Sequence, residues 1–242
     1  IMLCKFNNFY QPLKSSHEWK YLLKDPSLQW KDGKSAKELA KYWANRQDIP
    51  AELNHLFKNE DISLVFLFPE YKVPMPAVGG DSHNDLYVLA TSKNGLIVIM
   101  IESKAGESFG KIISEWYLQK ERGNKDKGVN AASRLNSMLQ ELGLGQYARA
   151  PYEEIGDYRY QLFHRTLSAL REAKRVKANR AIVLIQSFEN DPLSQEDFFK
   201  YVRLFVAQKK MTSGSLIGPV GISGIDLYFT WLDCEKSNLV IE

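Results

Sequence analysis

The chain has 242 residues, of which 44% are hydrophobic and 25% charged, with a net charge of +3 and a pI near 8.7. This is the balance of an ordinary globular protein long enough for a proper core, and its mild basicity permits a polyanionic partner without demanding one. No apolar run approaches the ~18 residues of a spanning helix, and a pair of cysteines, Cys4 and Cys234, is too few for a disulfide framework or a cysteine zinc site.

No charged stretch followed by an apolar one opens the sequence, so a cytoplasmic protein with no membrane partner is expected. Residues 14–34 are polar and turn-rich and carry Trp19 and Trp30. A helix is expected after Ser35, which with Glu38 reads as a capping box ahead of the stripe Ala36, Leu39, Ala40 and Trp43. Pro50 opens a second helix through Leu53, Leu56 and Phe57. Residues 62–68 read as a buried strand running on toward Val73, and 85–91 and 96–104 as two more. Asn94-Gly95 between the last two is the strongest short hairpin signal available. A helix over 109–120, a charged flexible connection over 119–128, and helices over 130–143 and 158–176 follow. Then come a buried strand at 181–186, a helix over 194–207 with Ser194 as cap, a loop at 214–224 and a last strand at 225–231. The tryptophans and the Phe198-Phe199-Tyr201 cluster read as core. A long helical crossover favours parallel pairing, so the expectation is one α/β domain over 1–242, with its core at about 35–190 and a mixed β-sheet flanked by helices.

The hairpin register decides what the charged residues can do. If Asn94-Gly95 is a two-residue loop, Asp85 faces Lys104 and Glu102 is its diagonal neighbour. If the loop is four residues, Thr91 faces Leu96 and Asp85 faces Glu102. In both cases the three side chains share one face, because side chains alternate with period 2. An unbulged three-residue loop would put the acid on the wrong face. Two carboxylates so placed repel each other, and neither ionises cheaply without a cation. Mg²⁺ or Mn²⁺ suits carboxylate oxygen, can bind a phosphate oxygen and can activate a water. Lys104 adds positive charge where a phosphorane gathers negative charge. The plainer alternative is a cross-strand ion pair between Asp85 and Lys104, with Glu102 ending the strand.

Asp85, sixteen intervening residues and Glu102-Ser103-Lys104 resemble the bipartite motif of the PD-(D/E)XK, or restriction-endonuclease-like, superfamily. The residue before Asp85 is Asn84 rather than proline. The wider string 82–90, then Glu102-Ser103-Lys104, Phe109-Gly110 and Tyr160–Arg165 with Ser168-Ala169, resembles an uncharacterised family related to these nucleases, over roughly 30–190. The resemblance implies a restriction-endonuclease-like core and Mg²⁺- or Mn²⁺-dependent phosphodiester hydrolysis. It makes Asp85 and Glu102 metal ligands, the Ser103 carbonyl a third oxygen, and Lys104 the group that positions water or stabilises the transition state. A further acid would come from Glu70, Glu38 or Glu52, with Glu70 first because it lies beside the hairpin.

Gln161 and Arg165 share a helix face, as do Tyr160 and His164. In the related nucleases such a Gln or Arg reaches the phosphate or supports the lysine; the alternative is a polar face with a structural His164. Arg165, Arg171, Lys174, Arg175, Lys177 and Arg180 form the best candidate phosphate patch, although a solvated helix end is the default for such a run. His83 could orient a water or simply occupy a loop. A nuclease acting on nucleic acid, with DNA as the expected substrate, is the first reading. The alternatives are a catalytically silent module that binds nucleic acid or a protein, and a subunit that needs a partner, such as a homodimer.

Overall fold

A computed structural model describes residues 15–236, apart from 45, 47, 58, 59, 124 and 209. Its apolar runs assemble into a six-stranded mixed sheet. The strands β1 (Ser63–Val73), β2 (Ser82–Ser92) and β3 (Gly95–Lys104) form an antiparallel meander. A long crossover returns the chain as β4 (Arg180–Ser187), parallel to β3. β5 (Ile217–Ile222) and β6 (Ile225–Asp233) complete the sheet in the order β1-β2-β3-β4-β6-β5. β6 is parallel to β4 and β5 is antiparallel to β6. The α/β class and the mixed, helix-flanked sheet expected from sequence are both found.

Period-2 alternation sorts the strands between two cores. Leu86, Val88, Ala90, Ile97, Ile99 and Ile101 pack under the N-terminal elements: a 3-10 segment (Ser16–Leu22), α2 (Ser35–Trp43) and α3 (Ala51–Leu56). The short α1 (Pro26–Gln29) lies between the first two and buries no residue. Tyr87, Leu89, Val98 and Met100 face the other way, toward α4 (Ile113–Gly123), α5 (Lys125–Glu141), α6 (Tyr160–Val176) and α7 (Pro192–Val202). β4 is buried along its whole length, which is why its sequence is a continuous apolar run rather than an alternation. Trp19, Trp43, Trp231, Phe198, Phe199 and Tyr201 are core, as expected. Among the described residues no helix is long and apolar enough to cross a membrane. Cys234 is a free, half-buried thiol, and Cys4 lies outside the described residues.

Several local expectations change. The hairpin turn is Lys93-Asn94, with Ser92 opposite Gly95 and Thr91 opposite Leu96. Gly95, at φ 106°, supplies the positive φ, whereas neither Lys93 nor Asn94 has one. A two-residue type I′ loop on Asn94-Gly95 would place the glycine inside the turn; here it ends it. Ser35 is the first helical residue rather than the cap, and Glu38 reaches back to the Gly33 N–H at 2.8 Å. The charged stretch 119–128 is helical wherever it is described, because its Lys, Glu and Arg residues are good helix formers on exposed turns. The segment 109–112 precedes α4 instead of belonging to it, and Ile112 bridges to Arg159. The expected loop at 214–224 contains β5, whose Gly-Pro-Val-Gly sequence hides an edge strand that admits proline.

The cap of α7 is Asp191, not Ser194: Asp191 Oδ1 accepts from the Ser194 N–H at 3.0 Å, and Pro192 opens the helix. Asp191→Ala is expected to cost about 1 kcal/mol of stability through loss of this cap, measured by urea denaturation.

Candidate active site

The end of β3 is where the sheet turns from apolar to charged. Val98 and Met100 lie on the α6 face, so period 2 puts Glu102 and Lys104 on that face too. Thr91 opposite Leu96 carries down the ladder to Leu86 opposite Ile101, so Asp85 falls opposite Glu102. This is the second of the two registers compatible with a shared face. Glu102 and Lys104 are each only 3% exposed, and Lys104 Nζ donates to Glu102 Oε1 at 2.6 Å. The Lys104 ammonium also lies 4.8 Å from the centre of the Phe109 ring.

The helix α6 supplies the ceiling. Leu162, Phe163, Leu167 and Leu170 anchor it to the sheet, and Gln161 and Arg165 project where the apolar cover stops. Their i,i+4 spacing lets both reach one carboxylate. Gln161 Nε2 donates to Glu102 Oε1 at 2.6 Å, and Arg165 Nε donates to Glu102 Oε2. Arg165 Nη2 also stands 3.7 Å from Asp85 Oδ1. Asp85 Oδ2 accepts from the Ser103 N–H and the Ser103 hydroxyl, each at 2.8 Å. The side chain and amide of Ser103 thus hold Asp85, alongside the carbonyl role expected for that residue.

Glu70 is the acid that joins them. Pro69 pairs with Leu86 and Tyr71 with Asn84, which sets Glu70 beside Asp85 on the edge strand. Its backbone is left-handed at φ 51°, a strained conformation for a glutamate inside a strand and of the kind that concentrates at functional sites. The Trp19 indole N–H lies 3.5 Å from Glu70 Oε1. Neither other candidate acid reaches the site. Glu38 is held by Gly33 and Lys41, and Glu52 accepts from the Tyr42 hydroxyl at 3.2 Å.

The three acids differ in charge. Burial and then the Asp85 carboxylate push Glu70 up to about 8. Burial and then Glu102 push Asp85 up to about 6. Burial also works against charge on Glu102, yet the Arg165 guanidinium and the Lys104 ammonium override it and hold Glu102 at about 2. Such a set is short of positive charge on its Glu70–Asp85 side. Among the described residues no three acid, histidine or cysteine side chains are drawn into a ready metal cage.

The remaining sequence candidates separate. His164 is buried, and burial followed by Arg165 holds its imidazole well below the ordinary range, so it is neutral. Its Nδ1 lies 2.8 Å from Ser82 Oγ, which accepts from Arg165 Nη1 at 3.1 Å. Ser82 was not a candidate by itself; only its place in the string 82–90 pointed to it. His83 is exposed, opposite Lys72. The cationic run does not form a free patch. Arg171 pairs with Glu141 at 2.5 Å, Arg175 with Glu172 at 2.5 Å, and Arg180 with Glu60 at 2.8 Å. Lys174 and Lys177 are exposed at the far end of α6, ~14 Å or more from Arg165 along the axis at ~1.5 Å per residue. Arg171, Lys174 and Arg175 are therefore not brought to the acids, whereas Gln161, His164 and Arg165 are.

No curated protein and no solved structure matches this sequence. One family model does, over residues 12–236, which include every acid and base of the cluster. The chain belongs to the family described as Domain of unknown function (DUF6946).

Proposed function

We propose that the protein is a metal-dependent nuclease of the PD-(D/E)XK type that hydrolyses phosphodiester bonds in nucleic acid, with DNA as its expected substrate. The observation that carries this reading is the meeting of Glu70, Asp85, Glu102 and Lys104 at the open end of the β2–β3 hairpin, beneath Gln161 and Arg165. Helices, an antiparallel meander, a helical crossover and a parallel strand also follow in the order that resembles the restriction-endonuclease-like core.

Asp85 and Glu102, with the Ser103 carbonyl and Glu70, would hold Mg²⁺ or Mn²⁺. The donors fit: all are hard oxygens, Asp85 Oδ1 has, among the described residues, only Arg165 at 3.7 Å, and Glu102 uses three of its roughly four acceptor positions. Bound there, the ion would polarise a phosphate oxygen and make a bound water more acidic. The protein's own groups do the rest. Arg165 and Gln161 fix the Glu102 carboxylate, and Ser103 fixes Asp85, so ligand geometry is set before substrate arrives. Lys104, beside Glu102, would offset the charge that builds on the reacting phosphate.

A second reading, a silent module that binds nucleic acid or a protein, has one observation in its favour. Glu102 is already closed by Lys104, Gln161 and Arg165, as a purely structural ion network would be. Calorimetric titration of Mg²⁺ and Mn²⁺ into the wild type and Asp85→Ala, beside incubation with supercoiled DNA, single-stranded DNA and RNA, separates the two. Metal binding and cleavage that disappear together in the variant support the nuclease. No metal binding by the wild type would sink it and leave recognition.

A further inference from the structure

On the far side of Ser82 and His164 from the acids lies a cavity of about 430 Å³. Three helices build its walls. Trp116 and Lys120, four apart, come from α4; Lys127, Asn130 and Arg134 come from α5; Tyr160 and His164, again four apart, come from the first turns of α6. The segment Val78–Gly80 roofs it, with Asp81 at the rim as its acidic residue. Trp116 and Tyr160 stack face to face, with ring centres 4.0 Å apart and planes at 11°. Trp116 is half-buried and packs against the core while one side of it lines this cavity.

Arg134 is the unusual group. It is 8% exposed, and two of its nitrogens are satisfied: Nε donates to the Tyr160 hydroxyl at 2.9 Å and Nη2 to the Gly80 carbonyl at 2.6 Å. Nη1 has no partner. It lies against Gly79, where a β-carbon would stand 2.5 Å away, so only glycine leaves room for it. A buried guanidinium donor left without an acceptor costs free energy, and Arg134 is among the residues that line this cavity, where an anion would meet its positive charge. Lys120 and Arg134 outweigh Asp81, and His164 is neutral, so the lining favours an anion. The volume exceeds what a bare phosphate needs and falls among small-molecule sites of ~300–1,000 Å³, and the aromatic pair offers a flat wall for a sugar or base.

We propose that this cavity is a second phosphate site, which takes a neighbouring phosphate of the strand whose scissile bond lies at the acids. The Ser82 hydroxyl, bonded to both His164 and Arg165, ties the two sites together. The assignment to a strand rests on the nuclease reading; the phosphate chemistry of the cavity does not.

The test is a titration in EDTA of inorganic phosphate, and separately of an oligonucleotide with and without a 5′-phosphate. It is run on the wild type, Arg134→Gln, Lys120→Glu and Asp85→Asn, with calorimetry and phosphorus NMR as readouts. Phosphate affinity is expected to fall at least ~10-fold in Arg134→Gln and Lys120→Glu and to persist in Asp85→Asn. Lys120 is exposed, so its variant decides the matter if Arg134→Gln does not fold. Unchanged phosphate affinity in Lys120→Glu and in any folded Arg134→Gln overturns the site. Loss of phosphate binding with oligonucleotide binding unaffected keeps a phosphate site but overturns its assignment to the strand. A protein that neither binds Mg²⁺ nor cleaves leaves the phosphate titration intact, so the two readings fail separately.

Discussion

Lys104→Met is expected to lower the cleavage rate by roughly 10²–10³-fold while metal affinity stays the same or rises. Lys104 is not a metal ligand. Its ammonium sits 2.6 Å from Glu102 and competes with any cation for that carboxylate. Removing it takes one positive charge away from the acids, so a divalent ion would bind at least as well. The negative charge that gathers on the phosphate during attack would lose its nearest fixed counter-charge, which is a loss felt in the transition state rather than in binding. Folding should survive, because Glu102 keeps Gln161 and Arg165, and methionine fills the space beside Phe109. The contrast with Asp85→Ala is the informative part: there metal binding and cleavage are expected to fall together. Calorimetry for the metal and single-turnover cleavage for the rate separate the two behaviours. If Lys104→Met cleaves like the wild type, Lys104 is a structural counter-ion of Glu102 and the proposed role is lost.

What could be read from the residues and what could not divide along a physical line. The face shared by Asp85, Glu102 and Lys104 followed from period 2 in a hairpin, a local rule that tolerated two different registers. The i,i+4 spacing of Gln161 and Arg165 was equally local, and both reach Glu102. Glu70 ranks first among three acids because its strand lies beside the hairpin, and the edge-strand register puts it beside Asp85. The groups that went unread depend on contacts between distant segments. Trp19 meets Glu70 from 51 residues away, and Ser82 meets His164 from 82 residues away. The basic run after 165 reads as a candidate phosphate patch in sequence, but Glu141 and Glu60 come from other segments and pair with Arg171 and Arg180. Arg134 carried no signal in its own neighbourhood: a single arginine on a helix looks solvated until the glycine opposite it is known. Edge strand β5 escaped because Gly218 and Pro219 read as punctuation, and on an edge neither prevents pairing.

Without metal, stability should fall as pH rises from about 5 to 8.5, and Mg²⁺ should restore more of it at pH 8.5 than at pH 6. Glu70 and Asp85 ionise in the folded chain near 8 and 6, above their ordinary 4.5 and 3.8. A carboxyl whose folded value is raised stabilises fully only below its unfolded value. That contribution is lost as pH climbs through the folded values, here between about 4 and about 8. Glu102, held at about 2, acts in the opposite direction: its contribution is present above 4.5 and is lost on strong acidification. The metal-free protein should therefore be most stable in mildly acidic solution and lose stability on the alkaline side. A divalent ion reverses the alkaline loss because it takes the place of the protons, and so it binds with proton release. Glu70→Gln removes the group with the highest value, and should flatten the profile above pH 6 and raise the melting temperature at pH 8.5. Thermal melts of both proteins in EDTA and in 10-fold excess Mg²⁺ over the dissociation constant would measure this, an excess expected to add about 1.4 kcal/mol of linkage. A Mg²⁺-induced rise that is equal at pH 6 and pH 8.5, and indifferent to Glu70→Gln, would place the ion away from these carboxylates.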